Sequence, residues 1–579
     1  MGPMLKLTRF LAPYRGSVAL VLVLALANSL GSLLLPRLMS DIVDKGIIPG
    51  DQRAILVTGG LMLLMSIVAS LCAIAGSFYS AKVATGFGRE LRGAIFARAA
   101  YLSIHQFARF GSASLVTRTT NDTTQVQQML IMMLMMAIAA PMMAIGGVIL
   151  ALSQDAQLAW VLLAVMPVMA VIFAFIMRGA VPLSTAMQAK IDRLNLVLGE
   201  GLSGVRVIRA FDRGVWQRRR FDAANLDLTD TAIAVNRLMA ALMPALILML
   251  NFTSLGIIWV ASHRIDAGVM QVGAMIASLQ YAMQILFAVF MVTALFVMLP
   301  RAAASAARIN EVLDLEPEIV DPTSSDRSSS APRGQVEFQN VTFQYPGAEE
   351  PALTGVSFTA HPGEVTAIVG GTGSGKSTLV GLIPRFYDVN GGRVLLDGVD
   401  VRELTQGELR ARIGFVPQQA TLFTGTVAAN IRYGRQEAAD EEVRRAAAIA
   451  QALDFVEAMP QQFESPIAQA GINLSGGQKQ RLAIARAIVR RPDVYVFDDS
   501  FSALDFATDA RLRAALREET AAAAVFVVAQ RISTVINADR IIVLDEGRVV
   551  GIGTHAELLK RSEVYREIVA SQVSLDEVA

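Results

Sequence analysis

An α-helical six-span transmembrane domain followed by an α/β phosphate-loop domain is the fold class this sequence predicts. Three observations carry it. Six long charge-free runs fill residues 1–310, a strand-like TAIVG runs into GGTGSGKST at 370–378, and a Pro/Ser/Asp-rich stretch separates the halves. Apolar residues make up 53% of the 579 and charged residues only 17%, too apolar a ratio for an ordinary soluble enzyme. The net charge of +1 supplies no electrostatic basis for a nucleic-acid partner. A lone cysteine, Cys72, excludes a disulfide framework within the chain and reads as a buried reduced thiol.

The charge-free runs lie at 16–36, 54–81, 123–154, 156–177, 238–262 and 267–300. Each can cross a bilayer core, which takes about 20 apolar helical residues. The first is long and lacks a small-residue cleavage site, so no cleavable signal peptide is expected. Basic residues set the orientation. Lys6, Arg9 and Arg15 precede the first span; Lys82, Arg89, Arg92, Arg98, Arg109 and Arg118 fall between the second and third. Arg178, Lys190, Arg193, Arg206, Arg209 and Arg218 to Arg220 fall between the fourth and fifth. The alternate connections are short and not basic, so both termini are expected in the cytoplasm. The two basic connections hold few Gly or Pro residues in 82–101 and 184–199. They predict helices that run past the membrane and turn near 102–114 and 200–214. Arg37, Asp41 and Asp44 cluster at the outer end of the first span, as gate or interface groups rather than cargo ligands. MLIMMLMMAIAAPMM carries Met at 129, 132, 133, 135, 136, 142 and 143. Those positions line no single helical face, so they read as lipid-facing or packing filler.

LEPEIVDPTSSDRSSSAPRG marks a linker. The expected organisation is a membrane domain over 1–314, a linker over 315–333 and a nucleotide-binding domain over 334–579.

The phosphate loop comprises Gly370, Gly371, Thr372, Gly373, Ser374, Gly375, Lys376, Ser377 and Thr378. It matches G-x-x-x-x-G-K-[ST] between a strand and a helix, as that motif requires. Glycines let backbone N–H groups turn onto phosphates, and the helix N-terminus adds partial positive charge. Lys376 can reach the β- and γ-phosphates, and the Ser377 hydroxyl can ligate Mg²⁺. A second apolar strand, VYVF, ends in Asp498, whose carboxylate can hold the same ion through its water shell. Between them stands LSGGQ: Leu474, Ser475, Gly476, Gly477 and Gln478. Serine and glycines at a helix start form a second phosphate cradle. One nucleotide does not need two γ-phosphate cradles, so this one is expected to serve a nucleotide held by a second chain.

GGTGSGKST, FVPQQ, LSGGQ and VFDDSFSALD, in this order behind six spans, resemble the ATP-binding cassette (ABC) exporters. More narrowly the chain resembles half-transporters that fuse one membrane domain to one nucleotide-binding domain. The resemblance covers nearly the whole chain. It implies that Tyr345 stacks on adenine and that Gln418 senses Mg²⁺ or the attacking water. It also implies that Ser475, Gly477 and Gln478 clamp the γ-phosphate of an opposite subunit's ATP, and that Asp505 couples the two sites. The turns near 102–114 and 200–214 correspond to coupling helices.

Two positions depart from the family pattern. Asp499 stands where a catalytic glutamate is expected, and Gln530 where a switch histidine is expected. One methylene fewer retracts the carboxylate by roughly 1.5 Å, and misplacement of about 1 Å can cost on the order of 100-fold in rate. Glutamine donates a hydrogen bond but cannot become a cation. These residues predict a site that holds ATP with Mg²⁺ and hydrolyses it slowly, paired with a second half-transporter that this chain's LSGGQ completes. The expected cargo is amphipathic: a drug-like molecule, lipid or peptide. Ala and Arg richness points to a GC-rich bacterium and hence its inner (plasma) membrane. The sequence alone leaves open a homodimeric exporter, an importer of a chelated metal, and an ATP-gated regulator that moves no cargo.

Overall fold

The computed structural model describes residues 2–322 and 333–572. The expected linker therefore lies outside the described residues apart from 315–322 and Arg333. The chain divides into two compact units: Met1–Ala100 with Ser112–Leu315, and Tyr101–Gly111 with Glu316–Ala579.

In the first unit the charge-free runs become helix, the sixth only from Val272, after a turn at 267–270. Among the described residues six helices are long and apolar enough to cross a membrane: Gly2–Ile47, Gln52–Ala100, Ser112–Gln154, Ala156–Ser203, Gly214–Asp266 and Val272–Val292. The second has 49 residues, about 73 Å at 1.5 Å per residue. That length is more than twice a hydrocarbon core of about 30 Å. Only 6% of its most apolar window is buried. A helix both apolar and unburied faces lipid. Trp160 and Trp259, each 68% exposed, sit near the turns at 155 and 267–270, as interfacial aromatics do.

Small residues bring the first two helices together: a Cβ on Gly31 would stand 3.0 Å from the Ala69 Cβ, the close approach that membrane helices use. Polar contacts fix the ends. The Asp155 carboxylate caps helix Ala156–Ser203 through the N–H groups of Gln157 and Leu158 and pairs with Arg264 at 2.7 Å. Asp44 accepts from the Gly273 N–H at 2.7 Å, tying the first span to the start of the sixth, while Asp41 pairs with Lys45 at 2.7 Å. Helical segments widen into π-turns at Val43–Ile47, Arg118–Asp122 and Met142–Gly146. The last follows Pro141, whose missing N–H breaks the regular ladder. The methionine run splits between environments, with Met129 buried and Met135 43% exposed. Cys72 is partly exposed rather than buried, because its helix has little protein around it.

The second unit contains the strands β1 Val336–Phe343, β2 Leu353–Ala360, β3 Val365–Gly370, β4 Gly391–Leu396, β5 Val399–Asp400, β6 Ile413–Val416, β7 Gly425–Thr426, β8 Pro466–Ile467, β9 Val494–Asp498, β10 Ala524–Val528, β11 Arg540–Asp545 and β12 Arg548–Gly553. The main sheet runs β12-β11-β3-β10-β9-β6, and a second sheet runs β2-β1-β4-β5. Strand β9 shows why its run is apolar throughout. Val494 and Val496 enter the core beneath the second sheet; Tyr495 and Phe497 enter the opposite core with helix Gly476–Arg490. Both faces of a parallel strand are covered, so no polar alternation survives. Each such buried side chain contributes about 1.5–3 kcal/mol.

Residues Tyr101–Gly111 belong to this second unit, not to the helices that flank them in sequence. Helix Ile104–Phe110 opens on a capping box made by Ser103 and Gln106. Ser103 Oγ also donates to Glu318 at 2.6 Å, and Gln106 Nε2 to the Glu316 carbonyl at 2.8 Å. The second turn near 200–214 forms helix Val205–Ala210 within the first unit.

Candidate functional site

Parallel register assembles the site at the carboxyl ends of the main sheet, where ligands of open α/β sheets bind. β10 pairs Val528 with Asp498 of β9 and with Ile368 of β3, and β6 pairs Val416 with Phe497. Residues just past the ends of three neighbouring strands therefore converge: Gln418, Asp499 and Gln530. Gln418 Nε2 donates to Asp499 Oδ2 at 3.2 Å, and Gln530 Nε2 donates to the same oxygen at 2.9 Å. Asp499 itself sits at φ +48°, a left-handed conformation that Asp tolerates better than most residues. Its N–H donates to the Val528 carbonyl at 3.0 Å, and Ser502 Oγ donates to its carbonyl at 2.9 Å.

On the other side β3 ends at Gly370 and the phosphate loop begins. Gly375 adopts φ +96°, and a Cβ there would stand 2.8 Å from the Ala352 carbonyl oxygen, so glycine is required on both counts. Lys376 Nζ folds over the loop and donates to the carbonyls of Gly370 at 3.0 Å and Gly371 at 2.6 Å. Burial lowers its ammonium pKa, with Asp499 and Asp498 opposing that shift. Ser377 Oγ donates to Asp498 Oδ1 at 2.9 Å. Burial raises the Asp498 carboxyl above its usual range, the Ser377 bond opposing. Asp499 is raised by burial as well, with the Gln418 bond opposing. Two buried carboxylates facing one lysine form a site short of positive charge. A hydroxyl and a carboxylate 2.9 Å apart are hard oxygen donors of the kind Mg²⁺ takes, so these residues fit that ion. Tyr345 stands over the loop: its hydroxyl and the Thr378 hydroxyl are 2.9 Å apart, and its ring packs edge-on against Phe343 and Tyr387.

The LSGGQ segment forms its own structure. Ser475 caps helix Gly476–Arg490 in a capping box with Gln478, and the hydrogen bonds of these two residues run within the segment. A Cβ on Gly477 would meet the Ala503 carbonyl at 3.1 Å. Asp505 caps helix Phe506–Glu519 by accepting from the Thr508 N–H. That bond holds its carboxyl below the usual range. The structure thus gathers Tyr345, the phosphate loop, Gln418, Asp498, Asp499 and Gln530, and gives Leu474 to Gln478 and Asp505 separate local roles.

Three contacts were not legible beforehand. Buried Gln480 donates to the Pro417 carbonyl at 3.3 Å, linking the LSGGQ helix to the segment bearing Gln418. Its only sequence signal is a glutamine on the apolar face of an amphipathic helix. Arg531 lies over the Phe506 ring at 5.2 Å, and Gln572 binds the backbone around Gln530. Neither carries a sequence signal.

The model of the ABC transporter transmembrane region matches residues 18–289, and the ABC transporter model matches residues 353–502. An uncharacterized ABC transporter ATP-binding protein of Mycobacterium tuberculosis is 44% identical over 98% of this chain and 97% of its own length. The chain belongs to the ABC transporter family. An ATP-dependent lipid A-core flippase of Pseudomonas aeruginosa is 34% identical over 90% of this chain and 85% of its own. Among solved structures, a bacterial Atm1-family ABC exporter with ATP bound superposes with a TM-score of 0.82 at 26% identity, covering 97% of this chain and 98% of that one. This ABC protein is therefore a multi-pass exporter half-transporter, a membrane domain fused to an ATP-binding domain, that performs ATP-driven transport. Hydrolysis of ATP belongs to that activity, with Mg²⁺ generally required by domains of this family.

Proposed function

We propose that this transporter exports an amphipathic substrate as one half of an asymmetric pair, and that its own phosphate loop holds an ATP that turns over slowly. The observation that carries this reading is the double capture of Asp499 Oδ2 by the amides of Gln418 and Gln530. A general base must reach the attacking water with a free lone pair. This carboxylate is short, and the same oxygen is shared by two donors. Gln530 can offer a neutral hydrogen bond to a γ-phosphate but no titratable charge.

In the proposed cycle Tyr345 stacks on adenine, the phosphate-loop N–H groups and Lys376 bind the phosphates, and Ser377 and Asp498 hold Mg²⁺. Bound there, Mg²⁺ neutralises developing phosphate charge. Gln418 and Gln530 orient Asp499. Ser475, Gly477 and Gln478 face the ATP of the partner half-transporter, whose site carries most turnover, and Asp505 lies between the two sites. In this reading both termini and the ATP-binding domain lie in the cytoplasm of a bacterium, at its inner membrane, as the basic connections between spans favour. An apolar groove of about 170 Å³ between two spans, lined by Met243, Ile247, Leu250, Met283, Phe287 and Phe290 among others, suits an acyl chain or aromatic body. The flippase relative supports a lipid among the candidate substrates.

The test is reconstitution in vesicles of the chain alone and together with a second half-transporter that carries a glutamate and a histidine at the positions of Asp499 and Gln530. Turnover and transport that need both chains support the reading. A homodimer with robust transport-coupled turnover overturns the asymmetric pair and leaves a homodimeric exporter.

A further inference from the structure

Beyond the phosphate loop, the turn after helix Glu563–Ala570 reaches the site from behind. Helix Glu563–Ala570 is anchored by Tyr565 and Val569, which share a core with Ile532 and Val535 of the segment after β10. Tyr565 is fully buried, and its hydroxyl lies 2.8 Å from His555 Nδ1. This anchoring sets Gln572, two residues past the helix end, against the backbone that carries Gln530. Its carboxamide makes two bonds there. Oε1 accepts from the Ile532 N–H at 2.8 Å, and Nε2 donates to the Gln530 carbonyl at 2.6 Å.

Strand pairing stops at Val528 of β10, so Gln530 to Ile532 lack ladder partners. A side-chain amide has the donor and acceptor of a peptide group, and Gln572 supplies the pair that a neighbouring strand would. We infer that Gln572 is a positioning residue, which holds the backbone of Gln530 and Ile532 so that the Gln530 side chain points to Asp499 and the γ-phosphate. The inference rests on the reading of Gln530 as the γ-phosphate-facing residue. It makes the C-terminal helix a support of the ATP site, acting through the main chain rather than on the nucleotide. The connection needs both bonds: with the donor alone the segment can pivot about Gln530, and with the acceptor alone about Ile532.

The experiment uses the full-length chain in nanodiscs, comparing Gln572→Ala, Gln530→Ala and the double variant with the parent. Hydrogen exchange without nucleotide is read over residues 529–535, and dissociation of MANT-ATP and MANT-ADP is followed with Mg²⁺. Gln572→Ala is expected to speed exchange in that segment and to raise the MANT-ATP off-rate about fivefold, the factor carried by one hydrogen bond of ordinary strength. MANT-ADP, which has no γ-phosphate, is expected to dissociate as before, and the double variant to match Gln530→Ala. Unchanged exchange in Gln572→Ala overturns the clamp. An equal change for MANT-ADP and MANT-ATP overturns it too, since that is the mark of general loosening. If Gln530→Ala itself leaves MANT-ATP unaffected, the reading of Gln530 fails and the inference fails with it. If Gln530→Ala acts and Gln572→Ala does not, only the clamp fails.

Discussion

Gln530 donates its side-chain amide to Asp499 at 2.9 Å, on the oxygen that Gln418 also approaches at 3.2 Å. In the proposed reading of a slow site, the two residues that set it apart thus meet in one hydrogen bond. A carboxylate that is one methylene short is held by an amide that cannot take a charge.

Restoring both positions is the direct test of that bond. Asp499→Glu with Gln530→His is expected to raise ATP turnover of the full chain by about 10- to 100-fold, the range of a well-placed base together with a charge-stabilising donor. Each single change is expected to give much less, because the groups act as a unit. Steady-state phosphate release checks this. Unchanged turnover in the double variant would locate the limitation elsewhere, in the partner's LSGGQ.

The proposed asymmetry separates two substitutions. Lys376→Ala removes the lysine over this chain's own loop and is expected to abolish ATP binding here. Ser475→Ala is expected to leave that binding intact and to lower turnover of the assembled pair by at least about tenfold, as lost transition-state donors do. It also removes a helix cap, a cost of about 1 kcal/mol, so the melting temperature must be recorded beside the rate. Nucleotide photolabelling of each chain distinguishes the two outcomes.

Asp498 yields a prediction about pH. Burial raises its carboxyl in the folded chain, with Asp499 adding to the rise. A raised folded pKa means that its stabilising contribution is complete below the unfolded pKa and is lost as pH rises through the folded one. At neutral pH ionised Asp498 therefore destabilises the nucleotide-free chain. Asp498→Asn is expected to raise the melting temperature near pH 7, with the gain shrinking as pH falls towards the ordinary carboxylate range. The same variant is expected to lose Mg²⁺-dependent ATP binding. Thermal unfolding of parent and variant across pH, without nucleotide, gives the comparison; a gain that grows on acidification would reverse the sign of the argument.

Asp122 is expected to dominate the stability of the first unit's charged network. Its side chain is 3% exposed and accepts from Ser305 at 2.9 Å and Arg308 Nε at 2.8 Å, while neighbouring Arg118 pairs with Glu311 at 2.8 Å. Asp122→Ala leaves those donors without their acceptor. It is expected to cost about 2–3 kcal/mol, below the full value for a buried pair because Arg308 keeps water access. Melting of the detergent-solubilised chain measures it, with Asp122→Asn falling between the two.

The sequence by itself determined the composition-driven features. Runs such as 54–81 can only be satisfied as helices in lipid, where every backbone group must bond internally. GGTGSGKST behind an apolar strand dictates a phosphate loop, because its glycines and lysine act within nine consecutive residues. The pairing of Asp499 with Gln530 became visible only in the tertiary structure. It depends on Val528 lying opposite Asp498, and parallel register is set by packing on both sheet faces, over separations that no local pattern encodes. The same holds for Tyr101–Gly111, whose capping box is local and legible but whose place in the second unit rests on Glu316 and Glu318. It holds again for Gln572, a polar residue past a helix end whose two bonds reach back 40 and 42 positions. Local chemistry is written in neighbouring residues; contacts across the fold are decided by which surfaces the core brings together.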